Sequence, residues 1–317
     1  MTTVRVAAIQ SAPVYLDREA TIEKVAVLVA TAAGEGARLA VFGEAFVPGF
    51  PDWVFRTTPW SDADYFARLR DQAVVVPSAA TERLGEVARA TGCALAIGID
   101  EREEHGSTVY DSLLYIGTGG DVLGVHRKLM PTGGERLVWG FGDGSDLVAH
   151  ETPAGRVAGL ICWENYMPLA RAAMYAQGLD VYVAPTWDNS DAWVPTLRHI
   201  AKEGRVHVIG VTMCQRGTDV RDALPGLHEI YGGDEDWLSR GNTTIVGPDG
   251  DIIAGPLVGE EGILYADIDL DAARVSRRMF DPVGHYSRPD VFRLTVDTRP
   301  KRPVVFDAID DDAVGRA

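Results

Sequence analysis

Cys162 stands where an apolar run, Arg156-Val157-Ala158-Gly159-Leu160-Ile161, gives way to Trp163-Glu164-Asn165-Tyr166-Met167-Pro168. A thiol placed between the end of a buried strand and the start of a helix would meet backbone N–H groups and the positive end of a helix dipole. Both favour a thiolate. The same donors could hold an anion that develops during attack on an electrophilic carbon. Position alone leaves the alternative open, because most free cysteines are small buried hydrophobes. That plainer reading is the one given to Cys93 and Cys214, which lie in strand-like runs.

A thiol nucleophile needs a base, and none of the seven histidines sits in a context that points to a Cys–His arrangement. Carboxylates offer another route. Glu44 ends the apolar run Arg38-Leu39-Ala40-Val41-Phe42-Gly43 and precedes Ala45-Phe46-Val47-Pro48. Held among such neighbours, its carboxyl would have a raised pKa suited to accepting a thiol proton. Lys128 closes the run Val122-Leu123-Gly124-Val125-His126-Arg127, and a fixed ammonium there could steady a tetrahedral anion. Glu135 lies in the glycine-rich stretch Pro131-Thr132-Gly133-Gly134-Glu135-Arg136, which could return a second carboxylate to the same place. Each has a commoner alternative: a solvated strand-end glutamate, a surface lysine, a chance loop acid. His126 shares a strand face with Lys128 and is read as supporting the site.

These residues need a framework, and the chain alternates short apolar runs with helix-period segments. Strands are expected at Val4–Gln10, Arg38–Phe42, Cys93–Ile99, Val109–Ile116, Val122–Lys128, Arg156–Ile161, Asp180–Ala184, Val206–Met213, Asn242–Val246, Asp251–Ala254 and Gly262–Ile268. Helices are expected from Asp17 to Ala33, Thr81 to Thr91, Glu164 to Gln177, Ala192 to Gly204 and onward from Asp271. Mixed βα units and hairpins argue for a two-sheet α/β core with helices outside rather than a single parallel sheet. No linker or composition break divides the chain, so residues 1–306 are read as one domain and 307–317 as a loose acidic tail.

Composition narrows the partners. Acidic residues outnumber basic ones 46 to 30, giving a net charge of −16, which disfavours nucleic acid and anionic membranes. No apolar run reaches the roughly 20 residues of a membrane span. Three cysteines are not a disulfide framework, and the start of the chain lacks a secretory signal pattern, so the cytoplasm is the expected location. No residue cluster has the spacing of a metal site, and no cofactor is implied. Trp53, Trp60, Tyr65, Trp163, Trp187 and Trp193 flank the reactive segments. They could line an apolar pocket or serve as packing, and Pro185-Thr186-Trp187-Asp188 is the favoured contact segment.

The three ordered segments around Glu44, Lys128 and Cys162 resemble the glutamate–lysine–cysteine triad of the nitrilase superfamily. The resemblance runs from Val6-Ala7-Ala8-Ile9-Gln10 to Gly284-His285-Tyr286-Ser287-Arg288-Pro289-Asp290. Cys162-Trp163-Glu164-Asn165, and Glu135-Arg136 with Trp139-Gly140, are similar to the nitrilase branch in particular. Gly133-Gly134 departs from it, since many nitrilases have a histidine in that stretch. The resemblance implies a four-layer αββα sandwich that pairs across a dimer, and a homodimer or larger homo-oligomer, spirals included. It also implies hydrolysis of a small nitrile with water, with Glu44 as base, Cys162 as nucleophile, Lys128 as anion stabiliser and Glu135 as a second glutamate. Trp163, Trp187 and Trp53 are then candidates for substrate contact. An amidase or carbamoyl hydrolase using the same triad is the nearest alternative, followed by a non-catalytic filament-forming assembly protein.

Overall fold

The computed structural model describes residues 3–232, 237–301 and 304; the acidic 307–317 segment lies outside the described residues. Two six-stranded sheets form the centre. The first runs β14 (Gly262–Asp269), β1 (Thr3–Gln10), β2 (Leu39–Val41), β3 (Ala94–Arg102), β4 (Val109–Ile116), β5 (Val122–Arg127). The second runs β13 (Ile252–Leu257), β12 (Thr243–Val246), β9 (His207–Thr212), β8 (Val181–Thr186), β7 (Gly155–Gly159), β6 (His150–Thr152). In each sheet three inner strands are parallel, and the outer pairings are antiparallel. A small ribbon of β10 (Cys214–Arg216) and β11 (Trp237–Arg240) stands apart.

Strand alternation sorts side chains into layers. Val6, Ala8, Leu39, Val41, Ala94, Ala96, Leu113 and Tyr115 of the first sheet meet Val157, Val181, Val183, Ile209 and Val211 of the second. The opposite face of the first sheet packs on α1 (Arg18–Gly34) and α3 (Ala79–Thr91) through Ile22, Val25, Val29, Leu84 and Val87. The opposite face of the second packs on α4 (Pro168–Tyr175) and α5 (Trp193–Gly204) through Met174, Leu197 and Ile200. The result is the helix–sheet–sheet–helix order expected. Its helices stop where the sequence indicated: Asp17 accepts from Ala20 N at the start of α1, and Gly92 takes a left-handed φ of 63° after α3.

The structure departs from the expected elements in two places. In the stretch after Glu44, where no helix was expected before Thr81, α2 (Ala63–Gln72) forms. It is polar overall and buries only Leu69, so no apolar run marks it. The helix expected from Glu164 to Gln177 divides. Cys162–Tyr166 is a short 3-10 turn, and α4 begins at Pro168, which suits a first helical position and pushes Met167 into extended backbone. The remaining short helices are α6 (Leu227–Ile230) and α7 (Leu270–Ser276).

Candidate active site

Four of the residues singled out by type converge at one end of the layer between the sheets. Glu44 follows β2, Lys128 follows β5, Cys162 follows β7 and Glu135 lies in a 3-10 turn over Gly133–Leu137. One ligand-type atom each of Glu44, Glu135 and Cys162 lies within 4.8 Å of the others, a cluster that no sequence spacing announced. Such a trio could bind a cation, and the Lys128 ammonium fills that role. Its Nζ donates to Glu44 Oε1 at 2.5 Å and to Glu135 Oε2 at 2.8 Å. Glu44 and Lys128 are fully buried, and Cys162 is 4% exposed.

Both turns that carry the reacting groups adopt unusual backbone. Cys162 has φ 52° and Ala45, next to Glu44, has φ 46°. For residues with a Cβ this left-handed region costs energy, and such strain collects at functional sites. The Glu44 turn also needs Gly98 of β3 beneath it. A Cβ at Gly98 would come within 2.3 Å of Gly43 O and 2.5 Å of Ala45 N.

The elbow at Cys162 is held by groups on both sides. Asn165 Nδ2 donates to Leu160 O and Cys162 O, each at 2.9 Å, while Arg171 Nη1 donates to Asn165 O and Tyr182 OH to Asn165 Oδ1. Glu164 joins the two strand ends that carry Lys128 and Cys162. It accepts from Ile161 N at 2.7 Å, just before the cysteine, and from Leu129 N at 2.6 Å, just after the lysine. His126 Nε2 donates to the same carboxylate at 3.1 Å and Nδ1 to Asp146 at 2.9 Å. His126 is thus a support, as its strand face indicated.

Burial pushes the Cys162 thiol well above the usual cysteine range, and the Glu44 charge adds to that; Lys128 and the Thr186 hydrogen bond pull the other way. The expectation of a thiolate favoured by a helix dipole is therefore corrected. The cysteine opens a five-residue 3-10 turn, not a long helix, and its burial favours the thiol over the thiolate. Burial also opposes the Lys128 charge, but Glu44, Cys162, Asp111 and Glu135 outweigh it and hold the ammonium well above the ordinary lysine value. Glu135 is raised by burial against the pull of Lys128.

The favoured contact segment does reach this place. Thr186 Oγ1 donates to Cys162 Sγ at 3.2 Å and accepts from Asp188 N, and Trp187 N donates to Glu44 Oε2 at 2.5 Å. Trp187 stacks on Phe50 with centroids 4.5 Å apart. Trp163 is half exposed beside the cysteine and donates Nε1 to Asp188. Trp53 and Trp193 are fully buried, Trp53 against the rings of Tyr15 and Tyr65 and Trp193 against that of Tyr166; Trp60 is 89% exposed. Asp111 went unread in the sequence. Its signal was an acid inside the buried strand-like run Val109-Tyr110-Asp111-Ser112-Leu113-Leu114. Its Oδ2 lies 3.2 Å from Lys128 Nζ.

Known proteins share this architecture. A carbon–nitrogen hydrolase solved from Helicobacter pylori G27 superposes with a TM-score of 0.72 at 21% identity, over 91% of this chain and 96% of that one. An aliphatic nitrilase of Sinorhizobium fredii is 46% identical over 311 residues, covering 96% of this chain and 99% of its own length. Nitrilase 1 of Arabidopsis thaliana is 41% identical, covering 96% and 90% respectively. The family model for carbon–nitrogen hydrolases matches residues 5–278. With that match and those full-length relatives, the chain belongs to the carbon–nitrogen hydrolase family, in its nitrilase branch.

Proposed function

We propose that this protein is a thiol nitrilase that converts an organic nitrile and two waters into a carboxylic acid and ammonia. Its likeness along nearly full length to enzymes named nitrilases supports the reaction. The observation that carries the residue assignment is the Lys128 ammonium bonded to Glu44 and Glu135 beside Cys162.

Because the thiol is protonated at rest, its proton must leave as sulfur attacks. Glu44 takes it, the S–C bond forms, and the nitrile π pair moves to nitrogen, which is protonated to a thioimidate. Water adds to that carbon, ammonia departs and a thioester remains. A second water displaces sulfur and releases the acid, and Cys162 recovers its proton. Lys128 stabilises the tetrahedral anions, and Trp163 N, the backbone donor after the cysteine, adds a further dipole. Glu135 orients water or substrate. Trp187 and Trp163 flank the substrate, with Trp53 in the packed layer that supports the Glu44 turn.

The same reading includes a cytoplasmic homo-oligomer, a dimer or larger. Its three cysteines are free, and no described helix is long and apolar enough to cross a membrane. Exposed apolar side chains at Trp163, Leu169, Val275, Met279 and Phe292 are available for subunit contact.

The test is release of ammonia and acid from a panel of nitriles and their matching amides by wild type, Cys162→Ala and Cys93→Ala. Wild type and the Cys93 variant are expected to form acid from nitriles, and Cys162→Ala to form none. Turnover of amides alone would move the protein to amide hydrolysis. Ammonia from the Cys162 variant would remove that residue as nucleophile.

A further inference from the structure

Three carboxyl groups surround the single ammonium of Lys128: Glu44, Glu135 and Asp111. All are buried, Asp111 completely on its side chain. If all three were ionised, two negative charges would stand uncompensated next to a thiol that must itself become an anion. Unit charges this close repel strongly in a place with so little water to screen them. One acid in this group therefore holds a proton, and the hydrogen bonds identify which.

Glu44 receives a donor on each oxygen, Lys128 Nζ on one and Trp187 N on the other. Glu135 Oε2 receives Lys128 Nζ and Thr132 N. Asp111 receives none: both its oxygens are shut away from solvent without a hydrogen-bond donor, and the 3.2 Å approach to Lys128 is an ion contact only. A buried carboxylate without donors is the costliest of the three to keep charged.

We propose that Asp111 is a proton-bearing positioning residue, whose neutral carboxyl holds Glu44 by a hydrogen bond and backs the Lys128 ammonium. This rests on the catalytic roles assigned above to Glu44, Lys128 and Cys162. Asp111 and Glu44 share the Lys128 ammonium, at 3.2 Å and 2.5 Å from Nζ, so a proton on Asp111 turns repulsion between neighbouring carboxylates into O–H···O bonding. It also leaves one uncompensated charge to pass between Glu44 and Cys162 during the thiol step. The placement is specified by the fold. Asp111 N–C=O is fixed in β4, where its carbonyl accepts Lys128 N at 2.8 Å and its register partner on β3 is Asp100. The groups facing it are then Glu44, Asp100, Lys128 and Glu135. Asp100 already has the Trp139 indole as donor at 2.6 Å. In keeping with this, burial pushes the Asp111 carboxyl well above the usual range, Glu44 and Glu135 add to it, and Lys128 opposes it.

The experiment compares wild type, Asp111→Asn and Asp111→Ala as full chains. Infrared difference spectra of the resting proteins at neutral pH read the protonation state without any substrate. A protonated-carboxyl carbonyl band present in wild type and missing from Asp111→Asn is expected; loss of carboxylate bands alone would overturn the proposal. Turnover of a nitrile reads the positioning role. Asp111→Ala is expected to lower kcat about a hundredfold with KM little changed, the scale of a misplaced reacting group. Asp111→Asn, neutral and able to donate to Glu44, is expected to recover to within about tenfold of wild type, a loss of one hydrogen bond's order. Its pH profile should keep the wild-type shape. An Asn variant as damaged as Ala, or an Ala variant as active as wild type with native circular dichroism, would overturn the role. Because the infrared arm is silent on substrate, failure of the nitrilase reading and failure of this one are told apart.

Discussion

Cys162 and Cys93 are both free, both buried and both attached to the ends of sheet strands, yet their surroundings differ in kind. Cys93 precedes β3 and packs in the layer between the first sheet and its helices. Burial pushes its thiol up to about 12, with Arg38 opposing, and its sulfur only approaches Ala94 O. Cys162 is pushed up by burial too, but beside it stand the carboxylate proposed to take its proton, the ammonium proposed to balance the anion and a hydroxyl that donates to its sulfur. A raised thiol is therefore no mark of inertness. What separates the two is whether the place the proton would go is within reach, and burial then makes the transfer one of charge within a closed pocket.

The sharpest way to break that contrast is to remove the balancing cation. Lys128→Met leaves Glu44 and Glu135 buried around a methyl thioether. Breaking a buried ion pair from one side costs about 3–5 kcal/mol, so the variant should unfold at markedly lower urea and lose nitrile turnover. Retention of wild-type stability would mean that the carboxyls re-protonate freely, and the ammonium would then lose its place as organiser of the site.

A second difference lies in what holds each cysteine. Apolar packing fixes Cys93, whereas the Cys162 elbow hangs on Glu164 and, through it, on His126. Both ring nitrogens of His126 face carboxylates, so both must donate and the ring is an imidazolium. Burial lowers its pKa, but the Glu164 charge and the bonds to Asp146 and Glu164 outweigh this and raise it from 6.5 to about 10. A group held higher in the folded chain stabilises the fold fully below its unfolded value and loses that contribution as pH rises through the folded one. Wild-type stability should thus decline between pH 6.5 and about 10. His126→Gln should be less stable at the acid end of that window and flatter across it. Denaturant titrations at a series of pH values measure both; an equally steep decline in the variant would assign the slope to other groups.

Much of this was legible in the chain because strands and caps are written locally. Apolar runs placed the strands of both sheets within a few residues, except the edge strand β6 (His150–Thr152), which has no apolar run, and Asp17 and Gly92 marked a helix start and a helix stop. Glu44, Lys128 and Cys162 were singled out because each closes an apolar run and because their three ordered segments together resemble the nitrilase superfamily's triad; position alone left each with a commoner alternative. The supports were harder. Thr186 was named only as part of a segment, because a hydroxyl 24 residues from a sulfur has no periodic signature. Glu164 looked like a first-turn helix acid, while in the fold it bridges two strand ends that are 32 residues apart, at Leu129 and Ile161. Asp111 broke the apolar pattern of β4, and its meaning depends on the charges of other strands. The helix after Cys162 starts later than expected because Pro168 sets its first position and holds Met167 in extended backbone.

The finest probe of the comparison is Thr186, since Cys93 has no counterpart to it. Thr186→Val keeps the shape and removes the O–H that donates to Cys162 Sγ at 3.2 Å. One such bond is of the order of 1 kcal/mol, so nitrile kcat/KM should fall about tenfold or less while the fold persists. The hydroxyl also pulls the Cys162 thiol down against the upward push of burial and Glu44. Without it the thiol rises further, so alkylation by iodoacetamide should need a higher pH than in wild type. Measuring this in a Cys93→Ala, Cys214→Ala background leaves one thiol to label. If the alkylation profile stays where it was, the hydroxyl serves only Asp188 N, and Cys162 is set apart from Cys93 by its charged neighbours alone.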